Sequence, residues 1–291
     1  MTEAWAVVEK GVVIDSGGTD RAVPWWSFTK TVLAAAALVL VRDGVLALDE
    51  PLPDRPYTLR HLLQHRSGLA DYGWLKSYHE AVARHEDPWS VPDLLKRTDI
   101  DRLRFPTGKG WEYSNVGYLF VRQLIETVGD GNLNAALHRL VFLPLGIEGA
   151  SVALERSDLD GVEMGSAEAY HPGWVYHGLL VGPVQDAALL LDRFLAGSLL
   201  HPEQLKDMLM PYTLPGPIGN RPWMKPGYGL GVMTGEATGG MHVAGHTGGG
   251  PGSTIAVYQA SSAQPARTAV YFATSEDQSR TEGRAFELLD R

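Results

Sequence analysis

The 291-residue chain contains no cysteine, which excludes disulfides, thiolate nucleophiles and thiolate metal sites together and fits a reducing compartment. It is also short of positive charge. Lys and Arg number 25 against 34 Asp and Glu, a formal net charge of -9, and no basic cluster stands out, so a nucleic-acid backbone would be repelled. Long apolar runs are absent too: the longest, Val32 to Val41, is roughly half of the ~20 residues needed to cross a bilayer. The opening segment Met1-Thr2-Glu3-Ala4-Trp5-Ala6-Val7-Val8-Glu9-Lys10 has neither the basic leader nor the apolar centre of a secretion signal, and the expectation is a cytoplasmic protein. Several signatures are missing as well. There is no Gly-x-Ser-x-Gly elbow, no phosphate-binding loop and no His-Glu-x-x-His, and Gly229-Leu230-Gly231 lacks the helix a dinucleotide fingerprint requires.

What is present is a hydrophobic content of 44%, enough for one large or two medium domains. Ala4 to Val8 and Val12 to Ile14 read as a hairpin turning at Lys10-Gly11 and ended by Gly17-Gly18. An Ala- and Leu-rich helix starting at Ser27 runs to Arg42-Asp43-Gly44, and Pro51 to Pro56 is too proline-rich for regular structure. From Thr58 to about Asp192 helices dominate. Thr58 caps a short one ending at Arg66-Ser67-Gly68, Val116 to Val128 is followed by a stop at Gly129, Leu133 to Phe142 stops before Pro144, and a fourth spans 183–196. After Pro211 the chain reads as short strands, Tyr228 to Met233, Met241 to His246, Ser253 to Tyr258 and Thr268 to Phe272, closed by a helix over about Thr281 to Leu289. The fold class is α/β (α+β): an antiparallel sheet with flanking helices, built from residues 1–57 and 197–291, and a mostly helical domain inserted over 58–196.

One stretch carries chemistry. In Ser27-Phe28-Thr29-Lys30 a hydroxyl and an amine stand three residues apart, a spacing that shares one face of a helix. Burial of that helix would depress the Lys30 pKa toward a range where an amine accepts a proton, and the helix N-terminus offers N–H groups to an oxyanion. His61 and His65, four apart, have metal-ligand spacing but no third ligand nearby, and a surface or loop-bracing role is favoured for them.

Two further clusters, Tyr113-Ser114-Asn115 and His246-Thr247-Gly248, follow in order. With Ser27-Phe28-Thr29-Lys30 they resemble the three motifs of the serine β-lactamase and penicillin-binding-protein superfamily. The likeness is to the branch holding class C β-lactamases, D-alanyl-D-alanine carboxypeptidases, D-aminopeptidases and family VIII esterases. Leu62 to Leu69, Pro144-Leu145-Gly146 and Tyr228 to Gly231 extend the resemblance over nearly the whole chain. It implies a β-lactamase/penicillin-binding-protein-like fold and a serine hydrolase without metal or cofactor. Ser27 is implied as the acylated nucleophile, Lys30 and Tyr113 as the proton-handling pair, and Asn115, His246, Gly248 and Gly249 as substrate-binding residues. The N–H groups of Ser27 and Gly249 are implied as the oxyanion hole. Whether Lys30 or Tyr113 is the base stays open.

Departures bear on substrate. His246 stands where class C β-lactamases carry lysine, which weakens carboxylate recognition, and the class A Glu-x-x-Leu-Asn deacylation segment is absent. Small esters or amides are favoured, with D-amino-acid peptidase or amidase activity, weak β-lactamase activity and a non-catalytic ligand sensor as alternatives. Trp25, Trp26, Trp74, Trp111, Trp174 and Trp223 are candidate walls of an apolar acyl pocket or anchors of core and loops.

Overall fold

A computed structural model of the chain describes residues 1–128, 131–167, 169–260 and 265–290. The chain opens on the expected hairpin, β1 (Glu3–Glu9) and β2 (Val12–Gly18). Lys10 and Gly11 both take positive φ, 53° and 74°, as a two-residue hairpin loop requires. Gly17 and Gly18 end β2 as expected, and do so as its last paired residues. They are glycines because a Cβ at Gly17 would lie 2.4 Å from the Trp5 ring and one at Gly18 2.0 Å from the Glu3 carbonyl oxygen.

After β3 (Val23–Pro24), a 3₁₀ turn over Trp26–Phe28 leads into α1 (Thr29–Arg42). The α-helix thus begins two residues after Ser27 rather than at it. Trp26, at φ 43°, is left-handed, so a regular α-helix cannot run through it. Twelve consecutive residues of α1, Thr29 to Leu40, are buried. Leu33 is fully buried, so Leu33→Ala should lower unfolding free energy by about 2–5 kcal/mol. A denaturant midpoint that does not move would contradict this placement.

The helical region holds α2 (Leu59–Leu63), α3 (Lys76–Ala83), α4 (Val91–Arg97), α5 (Asn115–Val128) and α6 (Leu133–Leu137). The Gly129 stop expected after α5 lies outside the described residues. A π turn over His138–Phe142 continues α6 into α7 (Leu143–Leu145), which passes the Pro144 expected to end it. Pro144 sits in the first turn of α7, where its missing N–H costs nothing. A three-stranded sheet, missed in the sequence because its strands are two to four residues long, joins β3, β5 (Leu179–Gly182) and β4 (Ser151–Ala153) in that order. Next come α8 (Val184–Leu195) and α9 (Pro202–Leu209).

The remaining strands are β6 (Tyr212–Thr213), β7 (Trp223–Tyr228), β8 (Met233–Ala237), β9 (His242–Gly250), β10 (Ser253–Ala260) and β11 (Arg267–Ala273). With β1 and β2 they form an eight-stranded antiparallel sheet ordered β2-β1-β11-β10-β9-β8-β7-β6. The strand expected over Tyr228 to Met233 is instead the corner between β7 and β8. A Cβ at Gly231, φ 81°, would lie 2.2 Å from that of Ala34, so this corner sits directly on α1. There the Thr31 hydroxyl donates to the Gly231 carbonyl at 2.7 Å.

Along β10 the side chains alternate between two cores. Ile255 and Val257 pack with α1 and α8, while Ala256 and Tyr258 pack with the closing helix α10 (Gln278–Leu289). Every β10 residue is buried because both faces of the sheet are covered. Among the described residues, no helix is long and apolar enough to cross a membrane.

Candidate active site

The Ser27 turn is fixed by three hydrogen bonds, two to Leu180 of β5 and one within the turn. Trp25 N–H donates to Leu180 O at 2.8 Å, Phe28 N–H to Trp25 O at 2.9 Å, and Leu180 N–H to the Thr29 hydroxyl at 3.2 Å. The strained Trp26 is held by its indole, which donates to Ser253 Oγ at 3.0 Å and meets Tyr170 edge-on at 5.5 Å. Strand β9 lies against this turn only because it is glycine-rich. A Cβ at Gly248 would fall 2.6 Å from Trp25 O and 2.7 Å from Ser27 N, and one at Gly250 2.5 Å from the Trp26 ring.

Lys30, one turn on, is fully buried. Its Nζ donates to Ser27 Oγ at 3.2 Å and to Asn115 Oδ1 at 2.7 Å, and lies 4.9 Å from the centroid of the Tyr113 ring. Burial drives the Lys30 pKa well below its ordinary value, and the Asp71 carboxylate opposes part of that fall. Tyr113 is moved the other way: burial raises the phenol, with the Ser27 hydroxyl offsetting part of the rise. Three of the predicted groups, hydroxyl, amine and phenol, therefore meet, and Asn115 joins them from the start of α5.

Asp71 was not anticipated. It follows the short helix α2 in a loop, and no motif or spacing singles it out. Its Oδ1 accepts from Asn115 N–H at 2.9 Å and its Oδ2 from Asn115 Nδ2 at 3.2 Å, which orients the Asn115 amide so that its oxygen faces Lys30. Burial raises the Asp71 pKa, with the Asn115 bonds and Lys30 pulling it back. His177 was missed as well, because Tyr176-His177-Gly178 resembles an ordinary loop. Its Nε2 lies 3.1 Å from Lys30 Nζ, and burial, then the Lys30 charge, lower its pKa well below the usual histidine range.

The two spaced histidines have separate structural tasks. His61 closes the capping box of α2, its N–H donating to Thr58 Oγ1 at 3.3 Å and its Nδ1 accepting from Thr58 N–H at 3.2 Å. His65 is packed against Tyr113 at 4.3 Å and Tyr228 at 4.6 Å, and its Nδ1 accepts from Ser114 N–H at 3.1 Å. It braces the segment that presents Tyr113. Among the described residues, no three His, Asp or Glu side chains converge as a metal site would need.

Ser27, Tyr113, Asn115, His246, Thr247 and Gly249 all line a cavity of about 710 Å³. Gly248 lies beneath it, against the Ser27 backbone. The far wall is one segment, Tyr212 to Ile218, with Trp111, Tyr228 and Met233 beside it. Of the six tryptophans considered as pocket walls, only Trp111 lines the cavity. Trp25, Trp26, Trp174 and Trp223 are core residues, and Trp74 is 78% exposed.

His246 presents no free polar atom. Its Nδ1 is 2.7 Å from Thr247 O, which can only accept, so Nδ1 carries the proton and Nε2 accepts from the Tyr228 hydroxyl at 2.9 Å. Burial, reinforced by the Lys30 charge, brings its pKa down to about 3. No Asp or Glu lines the cavity among the described residues, and the one charged lining side chain, Arg221, is paired with Glu282.

Comparison with known proteins bears on the family and the fold. The sequence model of the family described as Beta-lactamase matches residues 4–290. A penicillin-binding protein of Bacillus subtilis (strain 168) is 30% identical over 160 residues, 52% of this chain and 34% of the relative. The chain thus aligns with about a third of that protein's length. A lovastatin esterase of Penicillium rubens is 28% identical over 273 residues, 71% of this chain and 68% of the relative. Among solved structures, the D-amino acid amidase from Ochrobactrum anthropi SV3 with bound L-phenylalanine superposes with a TM-score of 0.81 at 20% identity, covering 99% of this chain and 93% of that one. At that identity the likeness concerns the fold.

Proposed function

The chain belongs to the beta-lactamase family, and from that premise we propose that it is a serine hydrolase that acts through an acyl-enzyme on Ser27 and takes small, uncharged esters, with amides next. The observation that carries this reading is the position of Lys30 Nζ, 3.2 Å from Ser27 Oγ and 2.7 Å from Asn115 Oδ1, behind a serine on the wall of a large cavity. Desolvation favours the neutral amine, whose lone pair takes the Ser27 proton while its N–H bonds stay on Asn115. Ser27 Oγ bonds to the substrate carbonyl carbon, and the oxyanion is received by the N–H groups of Ser27 and Gly249. As the bond to the leaving group breaks, Tyr113 passes it a proton, a role suited to a phenol held neutral by burial, and the proton that Lys30 took from Ser27 replaces it, leaving amine and phenol as they began. Water then attacks the acyl carbon and restores the Ser27 hydroxyl.

Uncharged substrates are favoured because the lining offers no carboxylate for the α-ammonium of a D-amino acid amide and no unpaired cation for a β-lactam carboxylate. The lovastatin esterase relative supports esters, and the amidase fold likeness keeps amides second. We hold residues 1–57 and 197–291 as one folding unit and 58–196 as an insertion, with α8 docking the insertion on the sheet. The cytoplasmic location is part of the same proposal and is checked by fractionation.

Intact-protein mass after treatment with a fluorophosphonate tests the chemistry. Wild type should gain one adduct and Ser27→Ala none, in parallel with turnover of a p-nitrophenyl ester. Equal behaviour of the two proteins in both assays would leave a ligand-binding role instead.

A further inference from the structure

Glu282, on the second turn of α10, is fully buried and belongs to none of the three motifs. Five donor groups converge on its carboxylate. Arg221 Nε donates to Oε2 at 2.6 Å, while Oε1 accepts from Arg221 Nη2, from Thr247 Oγ1 at 2.5 Å, from the Tyr258 hydroxyl at 2.7 Å and from Trp223 Nε1 at 3.4 Å. Two of those donors, Arg221 and Thr247, also line the cavity. Thr247 lies between His246 and the Gly248-Gly249 stretch against the Ser27 turn, so the groups that Glu282 occupies are on the catalytic wall.

An arginine fork and a threonine hydroxyl on a pocket wall are what a substrate carboxylate would bind. Here both are taken by a carboxylate of the protein itself. Tyr258 and Trp223 hold that carboxylate in place from the core side, and the neighbouring His246 has both ring nitrogens committed. An anionic substrate at this wall would face Glu282 across an arginine already neutralised, and Glu282 is enclosed with no route to solvent.

We propose that Glu282 is a specificity-determining residue: an internal carboxylate that occupies Arg221 and Thr247 and thereby excludes substrates carrying a carboxylate next to the reacting carbonyl. This deepens the reading of the chain as a hydrolase of uncharged esters and rests on it. The same geometry assigns Arg221 as a latent carboxylate site, silent while the Glu282 side chain is paired with it.

The test compares pairs of esters that differ by one carboxylate. One pair varies the acyl side, p-nitrophenyl valerate against mono-p-nitrophenyl glutarate; the other varies the leaving group, 4-nitrophenyl butyrate against 3-carboxy-4-nitrophenyl butyrate. Wild type should turn over the anionic member at about one tenth or less of the neutral kcat/KM in at least one pair. Glu282→Gln should raise that anionic-to-neutral ratio by about tenfold or more, and the added substitution Arg221→Met should remove the gain. Equal turnover of both members by wild type in both pairs overturns the proposal without any variant. So does a folded Glu282→Gln protein with unchanged ratios, or a gain that survives loss of Arg221. Failure of wild type to hydrolyse any neutral ester, or hydrolysis that persists in Ser27→Ala, is a separate result and sinks the hydrolase reading itself.

Discussion

Lys30→Ala should lower kcat/KM toward a neutral ester by about 10²- to 10⁴-fold, the range for loss of a positioned general base, while the protein still unfolds cooperatively. The companion variant Lys30→Arg separates charge from basicity. A guanidinium restores a cation beside Asn115 but cannot give up its proton near neutral pH, so it should be as inactive as alanine. In wild type, kcat/KM should rise with pH as Lys30 loses its proton. Because burial lowers that pKa, the rise should be complete well below the ordinary lysine value of 10.5. The phenol of Tyr113 is displaced upward and would give a rise on the alkaline side instead. Retained activity in Lys30→Arg, or a rise only above pH 10, would transfer the base role to Tyr113.

Acidification should destabilise the fold steeply. His65, His177 and His246 are buried, and desolvation followed by the Lys30 charge lowers the pKa of all three. The unfolded chain protonates these side chains below its ordinary pKa near 6.5, whereas the folded chain does not. The unfolded state therefore binds more protons, and stability is lost as pH falls through that window. For His246 the loss continues down to about pH 3. Each histidine approaches about 1.4 kcal/mol per pH unit below pH 6, so the three together give about 4 kcal/mol per unit. Asp71, whose pKa is raised, works in the opposite sense nearer pH 4 and trims the slope there. Denaturant melts at pH 7.5, 6.5 and 5.5 would measure this. His65→Gln, which removes one of the three bases and keeps an acceptor for Ser114 N–H, should flatten the slope by about 1.4 kcal/mol per pH unit. A stability that is level from pH 7.5 to 5.5 would show that water or motion admits protons to these rings.

The elements with strong local signals were legible in the chain. An Ala-Leu run announces α1, a Lys-Gly turn the first hairpin, and the first two of the three ordered motifs single out Ser27, Lys30, Tyr113 and Asn115. The unread parts are held by long-range contact. Asp71 reaches Asn115 across 44 residues and His177 reaches Lys30 across 147, with no periodicity to mark either. Glu282 lies on a helical face like any other acidic residue until Arg221 is brought 61 positions back along the chain to meet it. Tyr228 to Met233 misled for a related reason. Its alternation imitates a strand, but Gly229 and Gly231 are there to let backbone touch backbone: a Cβ at Gly229 would be 2.1 Å from Met208 O.

The far wall of the cavity is contributed by one continuous stretch, Tyr212 to Ile218, made of the edge strand β6 and the start of the loop that leads to β7. The groups that break bonds come from other parts of the chain, so the bulk of that wall can change without displacing them. Lineages of this protein could exchange that one stretch, in length or bulk, and acquire new substrates while the reaction machinery stays untouched.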